Sequence, residues 1–174
     1  MTPKILTNVY YAIIYPFLIY GITIWGNANR TLIQSLHTLQ KKIVRLITYN
    51  DDSFYIKGPL PHSAPLFYQV KLLHIYDIFK LQVAKIVYES EHNIGPCNKI
   101  LNYNKVSEMH NHNTRYSYYG GIYMNSVRTS KYGIKSLRNE GRLVWESIPD
   151  DIKKSTSKKM LVSGYKKHLV NSYI

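Results

Sequence analysis

Apolar side chains recur with a helical period in several stretches of this chain. Between residues 32 and 46 they are spaced alternately four and three positions apart, at Leu32, Leu36, Leu39, Ile43 and Leu46. Residues 76–89, 134–148 and 161–169 show the same recurrence every three or four positions. This spacing places apolar side chains on one face of an α-helix. We therefore predict a mainly α fold, with a bundle-like helical region followed by a helical C-terminal tail.

The stretch from residue 134 to residue 154 carries the most detailed pattern. Its apolar or small positions are Ile134, Leu137, Gly141, Val144, Trp145 and Ile148. A glycine within this stripe costs helix stability, so we expect Gly141 to let another backbone approach the helix over Trp145. Pro149 ends the pattern. A short helical turn is predicted next, because Asp150 and Asp151 suit the start of a helix and Lys153 and Lys154 suit its end.

Capping residues mark the remaining elements. Ser63 is expected to cap a short segment from Ala64 to Phe67, and residues 155–157 to cap a last helix. That helix is predicted to turn Leu161, Tyr165 and Leu169 inward and four lysines outward. The helix over residues 76–89 is predicted to turn its apolar residues Phe79, Val83, Ile86 and Val87 inward. One or two minor strands are predicted, the first at residues 22–25 and the second at residues 122–127.

Residues 5–26 contain no charged side chain, and this length would suffice for a membrane-spanning helix. Pro16, Gly21 and four tyrosines are unfavourable for such a helix, and Lys4 alone is a poor basic flank for a signal peptide. We interpret the segment as a buried helix to about Tyr15, a turn led by Pro16, and a strand ended by Gly26. A small membrane-anchored protein that uses residues 5–26 remains the alternative.

The charge balance indicates an anionic partner. The formal net charge is +13 and the pI is about 9.7. Lys41, Lys42 and Arg45 lie within one turn of the predicted helix, with no acid nearby. They fit either a solvated face or contacts with phosphate groups. The single cysteine, Cys97, excludes a disulfide within the chain and favours a reducing compartment, nuclear or cytoplasmic.

Three short motifs suggest catalysis or metal binding, but each lacks a feature that the chemistry requires. Residues 49–52 spell the Tyr-Xaa-Asp-Asp sequence of reverse transcriptases, but Asp51 is the first acid of the chain, so no earlier carboxylate can complete the metal site. A zinc site would need more ligands than Cys97 and the neighbouring His110 and His112 provide. The adjacent carboxylates of residues 150–151 point in different directions on a helical turn, unlike those of a PD-(D/E)xK nuclease. We expect no enzyme activity, metal or cofactor in this chain on its own.

Taken in order, five segments resemble the region just past the polymerase core of jockey-like non-LTR retrotransposon reverse transcriptases. They are residues 20–26 with 39–47, residues 64–67 with 73–78, the His-Xaa-Thr-Arg block at 112–115, the Gly-Pro-x-x-Trp-Asn-x-x-Pro-x-x-x-Lys block at 141–154, and the terminal lysine-rich segment at 161–173. The resemblance covers nearly the whole chain. Departures from it are Arg142 for the usual proline, Glu146 for asparagine and Leu161 for phenylalanine.

This resemblance implies the C-terminal part of an RNA-directed DNA polymerase whose fingers and palm would lie upstream of Met1. Residues 1–95 would be a thumb-like helical region, and residues 96–174 a basic C-terminal region. Magnesium would belong to the intact parent polymerase. The expected partners are RNA, DNA or an RNA–DNA duplex, together with the polymerase palm, and not a membrane. The residues expected to contact phosphates are Lys41, Lys42, Arg45, Arg115, Arg128, Lys153, Lys154, Lys166 and Lys167. A non-functional retroelement remnant is a further alternative.

Overall fold

A computed structural model describes residues 2–48, 62–95, 101, 103–112, 114–118, 120–123, 126–129 and 133–174. The prediction of a mainly α fold is confirmed. Neither predicted strand is found in the described residues. Residues 22–25 are helical, and the backbone near residue 122 forms only an isolated antiparallel bridge between Lys105 and Ile122. Met124 and Asn125, in the second predicted strand, lie outside the described residues.

The chain divides into two compact units. Unit 1 comprises Met1–Phe79 together with Gly164–Ile174, and unit 2 comprises Lys80–Ser163. These bounds differ from the predicted regions 1–95 and 96–174, whose functional meaning stays a prediction. The division falls inside two helices, because the helix from Ile75 and the last helix each contribute residues to both units.

The helices are numbered in chain order. The first five belong to unit 1: α1 (Pro3–Val9), α2 (Tyr15–Ile19), α3 (Ile22–Trp25), α4 (Arg30–Thr48) and α5 (Ala64–Val70). The helix α6 (Ile75–Glu91) begins in unit 1 and continues into unit 2. Unit 2 then contains α7 (Val106–Met109), α8 (Arg115–Tyr118), α9 (Leu137–Ser147) and α10 (Asp150–Lys153), and α11 (Lys158–Asn171) returns to unit 1.

The predicted break at Pro16 is wrong. A π-helical turn, Tyr10–Ile14, joins α1 to α2, and the Tyr15 N–H donates to the Tyr10 carbonyl five residues back. A proline deprives a helix of one hydrogen bond and crowds the preceding turn, and this wider turn accommodates it. The chain changes direction at Gly21 instead, where φ is +60°, a left-handed conformation that glycine adopts without strain. The Trp25 indole N–H then donates to the Tyr20 carbonyl at 2.7 Å.

Helix α4 is present as predicted, but its buried face is not the leucine row. Leu32, Leu39 and Leu46 are 66%, 54% and 63% exposed. The buried positions, one residue further along, are Ile33, His37, Gln40, Val44 and Ile47. Two of these five are polar, so a search for apolar periodicity does not detect them.

Gln40 explains how a polar side chain can lie at the centre of unit 1. Its amide nitrogen donates to the Tyr10 hydroxyl at 3.0 Å and to the Leu73 carbonyl at 2.8 Å, and its oxygen accepts from the Ile75 N–H at 2.9 Å. Both amide protons and the amide oxygen are thereby paired, which removes the cost of burying them. The surrounding apolar cluster consists of Tyr10, Val44, Ile47, Phe67 and Leu72.

Tyr173 holds the C-terminal residues to the rest of unit 1. Its hydroxyl donates to the Asp77 carboxylate at 2.6 Å and accepts from the His74 N–H at 3.0 Å. The His74 imidazole stacks on the Tyr173 ring with centroids 4.0 Å apart, and Phe67 meets the same imidazole edge to face. Burial, followed by the neighbouring Asp77 charge, raises the pKa of Tyr173 far above that of an exposed tyrosine, so its hydroxyl stays a donor.

In unit 2, the close approach expected at Gly141 is made by side chains and not by a backbone. A Cβ at this position would lie 2.1 Å from the Tyr103 hydroxyl and 3.0 Å from a Val87 methyl. Val144 and Ile148 of the predicted stripe are buried, whereas Trp145 is only half-buried and Ile134 is exposed and precedes the helix. Two contacts connect α6 to the start of α11 and the segment before it. The Tyr88 hydroxyl donates to the Ser155 carbonyl, and Lys158 forms an ion pair with Glu89.

The remaining predicted helices are present, most of them with longer bounds, but the Ser63 side chain makes no capping hydrogen bond to the described residues at the start of α5. The predicted helix over 76–89 is α6, in which Phe79, Val83 and Val87 are buried and Ile86 is half-buried. In α11, the three predicted inward residues, at 161, 165 and 169, are buried. The Met160 N–H donates to the Ser157 hydroxyl, so the predicted cap of α11 is present.

Candidate nucleic-acid interface

Helix α4 presents its cations on a side of their own. Successive residues are rotated by about 100° around an α-helix, so Lys41, Lys42 and Arg45 lie between the buried face and its opposite. Lys41 and Arg45 are one turn apart on the same flank. The exposed leucines occupy the other flank, which gives the helix a buried, a cationic and an apolar exposed side. The structure therefore brings the three cations predicted from the sequence onto one face.

These three side chains differ in accessibility. Lys42 is exposed, and Lys41 and Arg45 are half-buried. No aspartate or glutamate occurs in α4 or before it in the chain. A phosphate approaching this side of α4 would therefore meet three cations and no acid from the helix itself.

Unit 1 as a whole carries an excess of positive charge at its surface. Its sequence holds nine lysines and arginines and three acids. Among its described residues the single acid is Asp77, which is 7% exposed and engaged by Tyr173 and His74. The other two, Asp51 and Asp52 of the Tyr-Xaa-Asp-Asp match, lie outside the described residues. The described surface of unit 1 is thus cationic, a property that favours polyanions.

The two candidate lysines of α11 are not equivalent. The Lys166 amino group donates to the Tyr11 hydroxyl at 2.9 Å and lies 5.2 Å from the centre of the same ring. A phosphate would have to compete with this contact. Lys167 is exposed. Of the two, Lys167 is the better placed for a phosphate.

The four candidates of unit 2 lie in three separate parts of the chain. Arg115 is exposed at the start of α8, where the Ser117 N–H donates to the Thr114 hydroxyl as an N-terminal cap. Arg128 is exposed in an irregular segment, and Lys154 is exposed after α10. Lys153 pairs with Asp150 of its own helix at 3.1 Å.

The histidines near residue 110 are not gathered into a metal site by the residues that the structure describes. His110 and His112 are exposed, and the His110 ring meets the edge of Tyr123 at 5.2 Å. Throughout the described ranges, no three side chains of His, Cys, Asp or Glu converge as ligands. Cys97, which the sequence analysis considered together with these histidines, lies outside the described residues.

A second polar site, which the sequence did not indicate, occurs in unit 2 along α9. The Arg142 guanidinium donates to Glu146 at 2.7 Å and to the Tyr116 hydroxyl at 3.3 Å. Burial, followed by the hydrogen bond to Glu146, raises the pKa of Tyr116. The four-residue spacing of Arg142 and Glu146 is the only trace of this arrangement in the sequence.

Comparisons with known proteins leave the family open. No protein-family model, curated protein or solved structure matches this chain. In the part of the chain that the structure describes, none of the helices combines the length and apolar content needed to cross a bilayer.

Proposed function

We propose that this chain is the thumb and post-polymerase part of a jockey-like non-LTR retrotransposon reverse transcriptase, and that it binds nucleic acid through backbone charge without performing the polymerase reaction. The family assignment rests on the five ordered sequence segments, and a mainly helical fold is compatible with it. The observation that carries the binding proposal is the cationic side of α4, which has no acid of its own helix beside it.

The contact would be with phosphates and independent of base sequence. Lysine and arginine side chains on a helix surface neutralise phosphates and release the counterions that surround them. Lys41, Lys42 and Arg45 form the core of this surface, and Lys167 adds a further exposed cation in unit 1. Arg115, Arg128 and Lys154 extend the proposal to unit 2. Lys153 and Lys166 would contact a phosphate only on breaking their contacts with Asp150 and Tyr11.

The order of acids along the chain is the reason why these residues would not perform polymerase chemistry. Nucleotidyl transfer on two metal ions needs a carboxylate from a strand that precedes the paired aspartates. Residues 1–50 contain no aspartate or glutamate. The 174 residues therefore supply binding, and the reaction would require carboxylates from elsewhere.

Salt dependence of binding to an RNA–DNA duplex tests the proposal. Each phosphate contact contributes about 0.9 to the slope of log K against log salt for B-form DNA. Replacing Lys41, Lys42 and Arg45 by alanine should weaken binding and make the slope less steep by about two to three. The matched control replaces Lys105, Lys135 and Lys159, which removes the same charge from residues outside the candidate set. Equal affinity and slope for the two triple variants would refute the role of α4.

One observation favours the membrane-associated alternative. The uncharged N-terminal segment exposes apolar residues at regular intervals: Ile5, Val9, Ile13, Phe17, Tyr20 and Ile24. Such a row suits the surface of a bilayer rather than its interior. Flotation with vesicles that contain anionic lipid tests this alternative. Flotation of the unaltered chain that is lost on replacing Ile13 and Phe17 by aspartate would support it. If adding vesicles left the fraction of unbound protein unchanged, this alternative would be excluded.

A further inference from the structure

Helix α4 carries an apolar row that unit 1 leaves open to solvent. Leu32, Leu39 and Leu46 are 66%, 54% and 63% exposed. They are spaced seven positions apart, and residues seven apart lie almost above one another on an α-helix. The three side chains therefore form a nearly straight line about 21 Å long. Single exposed leucines are common on protein surfaces, but an aligned row of them marks a surface for binding.

Leu36 and Ile43 extend this row into a heptad pattern. Both are half-buried, and Ile43 packs against the apolar cluster of unit 1. Together with the exposed leucines they alternate at four and three positions, which is the spacing of a seam between two supercoiled helices. The buried face of α4 uses five other positions, so the core of unit 1 does not require this spacing. The pattern indicates that another helix lies along the outer edge of α4.

The polar residues beside the row already have hydrogen-bond partners within α4. Ser35 lies three positions after Leu32 and four before Leu39, and its hydroxyl donates to the Leu32 carbonyl at 2.9 Å. Thr38, one step further from the row, donates its hydroxyl to the Gln34 carbonyl at 2.8 Å. Covering a hydroxyl that is already paired leaves no donor unsatisfied. This edge of the helix can therefore be desolvated by a protein partner at little cost.

The charge beside the row identifies the kind of partner. Lys42 is exposed and lies three positions after Leu39 and four before Leu46, so it borders both side chains. No acid of α4 accompanies it, and a partner with carboxylates along its edge would supply the missing charge. A second copy of the chain would instead bring a net charge of +13 against an equal one. A bilayer surface suits a broad apolar face, whereas this row is one side chain wide.

We propose that the leucine row of α4 binds an amphipathic α-helix of a partner protein. The partner helix would carry apolar residues at heptad spacing and aspartate or glutamate along the edge that faces Lys42. Lys41 and Arg45 lie on the opposite flank of α4 from the leucine row. The site is therefore distinct from the proposed phosphate contacts and shares only Lys42 with them.

Binding of two designed peptides, measured by fluorescence anisotropy with the full chain, tests this proposal. Both peptides have leucines at alternating four and three spacing, and their flanking positions are all glutamate in one and all lysine in the other. The acidic peptide should bind with a Kd of about 10 μM, as expected for a small interface, and the basic peptide about fivefold more weakly. Lys42→Glu should reverse this preference.

A double variant shows whether the row itself makes the contact. Leu32→Ser with Leu39→Ser should weaken binding of the acidic peptide about 100-fold, because two apolar anchors are lost. Leu143→Ser with Met160→Ser is the matched control, since these residues are 43% and 57% exposed and lie in unit 2. The control should leave the Kd unchanged, and circular dichroism verifies that both double variants are folded.

The other outcomes contradict the proposal in distinguishable ways. Binding of neither peptide, equal binding of both, or full binding by the Leu32 and Leu39 double variant would overturn it. Self-association in sedimentation that is lost in this variant would assign the row to a second copy, and vesicle flotation lost in it would assign the row to a bilayer. The double variant keeps Lys41, Lys42 and Arg45, so its duplex binding should equal that of the unaltered chain. Failure of the helix-binding proposal thus leaves the phosphate contacts untouched.

Discussion

Replacing Gln40 by leucine tests whether this side chain organises unit 1. The substitution keeps the approximate volume but removes the partner of three groups: the Tyr10 hydroxyl, the Leu73 carbonyl and the Ile75 N–H. Each buried group left unpaired costs about 1–3 kcal/mol. Burying a leucine in place of an amide returns about 1–2 kcal/mol through the hydrophobic effect. We expect a net loss of about 3 kcal/mol, which is a large share of the stability of a typical domain.

Urea denaturation followed by circular dichroism measures this loss. The corresponding fall in Tm is about 6–12 °C for a chain of this size. Gln34→Leu is the matched control, because Gln34 lies on the same helix and is exposed, and its side-chain oxygen accepts from the Tyr76 hydroxyl at 3.1 Å. The control should change stability by less than about 0.5 kcal/mol. If Gln40→Leu were as stable as the control, the three hydrogen bonds of Gln40 would not contribute to the stability of unit 1.

Three further predictions address the C-terminal contact, the pH response and the chemistry. Tyr173→Phe should lower the free energy of unfolding by about 1–3 kcal/mol, because Asp77 and the His74 N–H lose their partner. Hydrogen exchange should rise in residues 164–174, and unchanged exchange would contradict the contact. Burial, followed by the charge of Lys41, lowers the pKa of His37 in the folded protein. The unfolded state therefore binds more protons, and stability should fall as the pH drops below about 6.5. Urea titrations at pH 7.5 and 5 should show a smaller loss for His37→Gln than for the unaltered chain, and equal losses would refute the argument. With Mg²⁺ and deoxynucleotides, the purified chain should not extend a primer on an RNA template, and any extension would contradict the proposed division between binding and chemistry.

The sequence predicts the helices better than it predicts which of their faces are buried. Helices α6 and α11 follow from apolar periodicity, because most of their inward positions carry apolar side chains. Periodicity also predicts α9, although its buried positions include the polar Asn139. In α4 the same rule selects the leucine row, whereas the structure buries His37 and Gln40. No periodicity argument finds a glutamine whose partners lie 30 or more positions away in the chain.

The N-terminal segment shows a second limit. Ile22, Thr23 and Ile24 are residues typical of strands, and a strand was predicted for them. The left-handed Gly21 and the indole bond of Trp25 instead favour a short helix. The strand propensity of four residues is weak, and the Gly21 conformation together with the Trp25 hydrogen bond outweighs it.

The candidate sites differ in how visible they are in the sequence. The α4 cations are a run of like charge and were predicted directly. The polar site along α9 joins Tyr116 to Glu146, which is 30 positions away in the chain. Such a site becomes recognisable only when the partners of each polar atom are known.

Lysine footprinting is the most direct measurement of where nucleic acid contacts this protein. The chain is acetylated with and without an RNA–DNA duplex, and each lysine is quantified by mass spectrometry. Our account predicts that the duplex protects Lys41, Lys42 and Lys167, while Lys135 and Lys159 react equally in both samples. Full reactivity of Lys41 and Lys42 in the presence of saturating duplex would contradict the central claim that the cationic side of α4 binds the phosphate backbone.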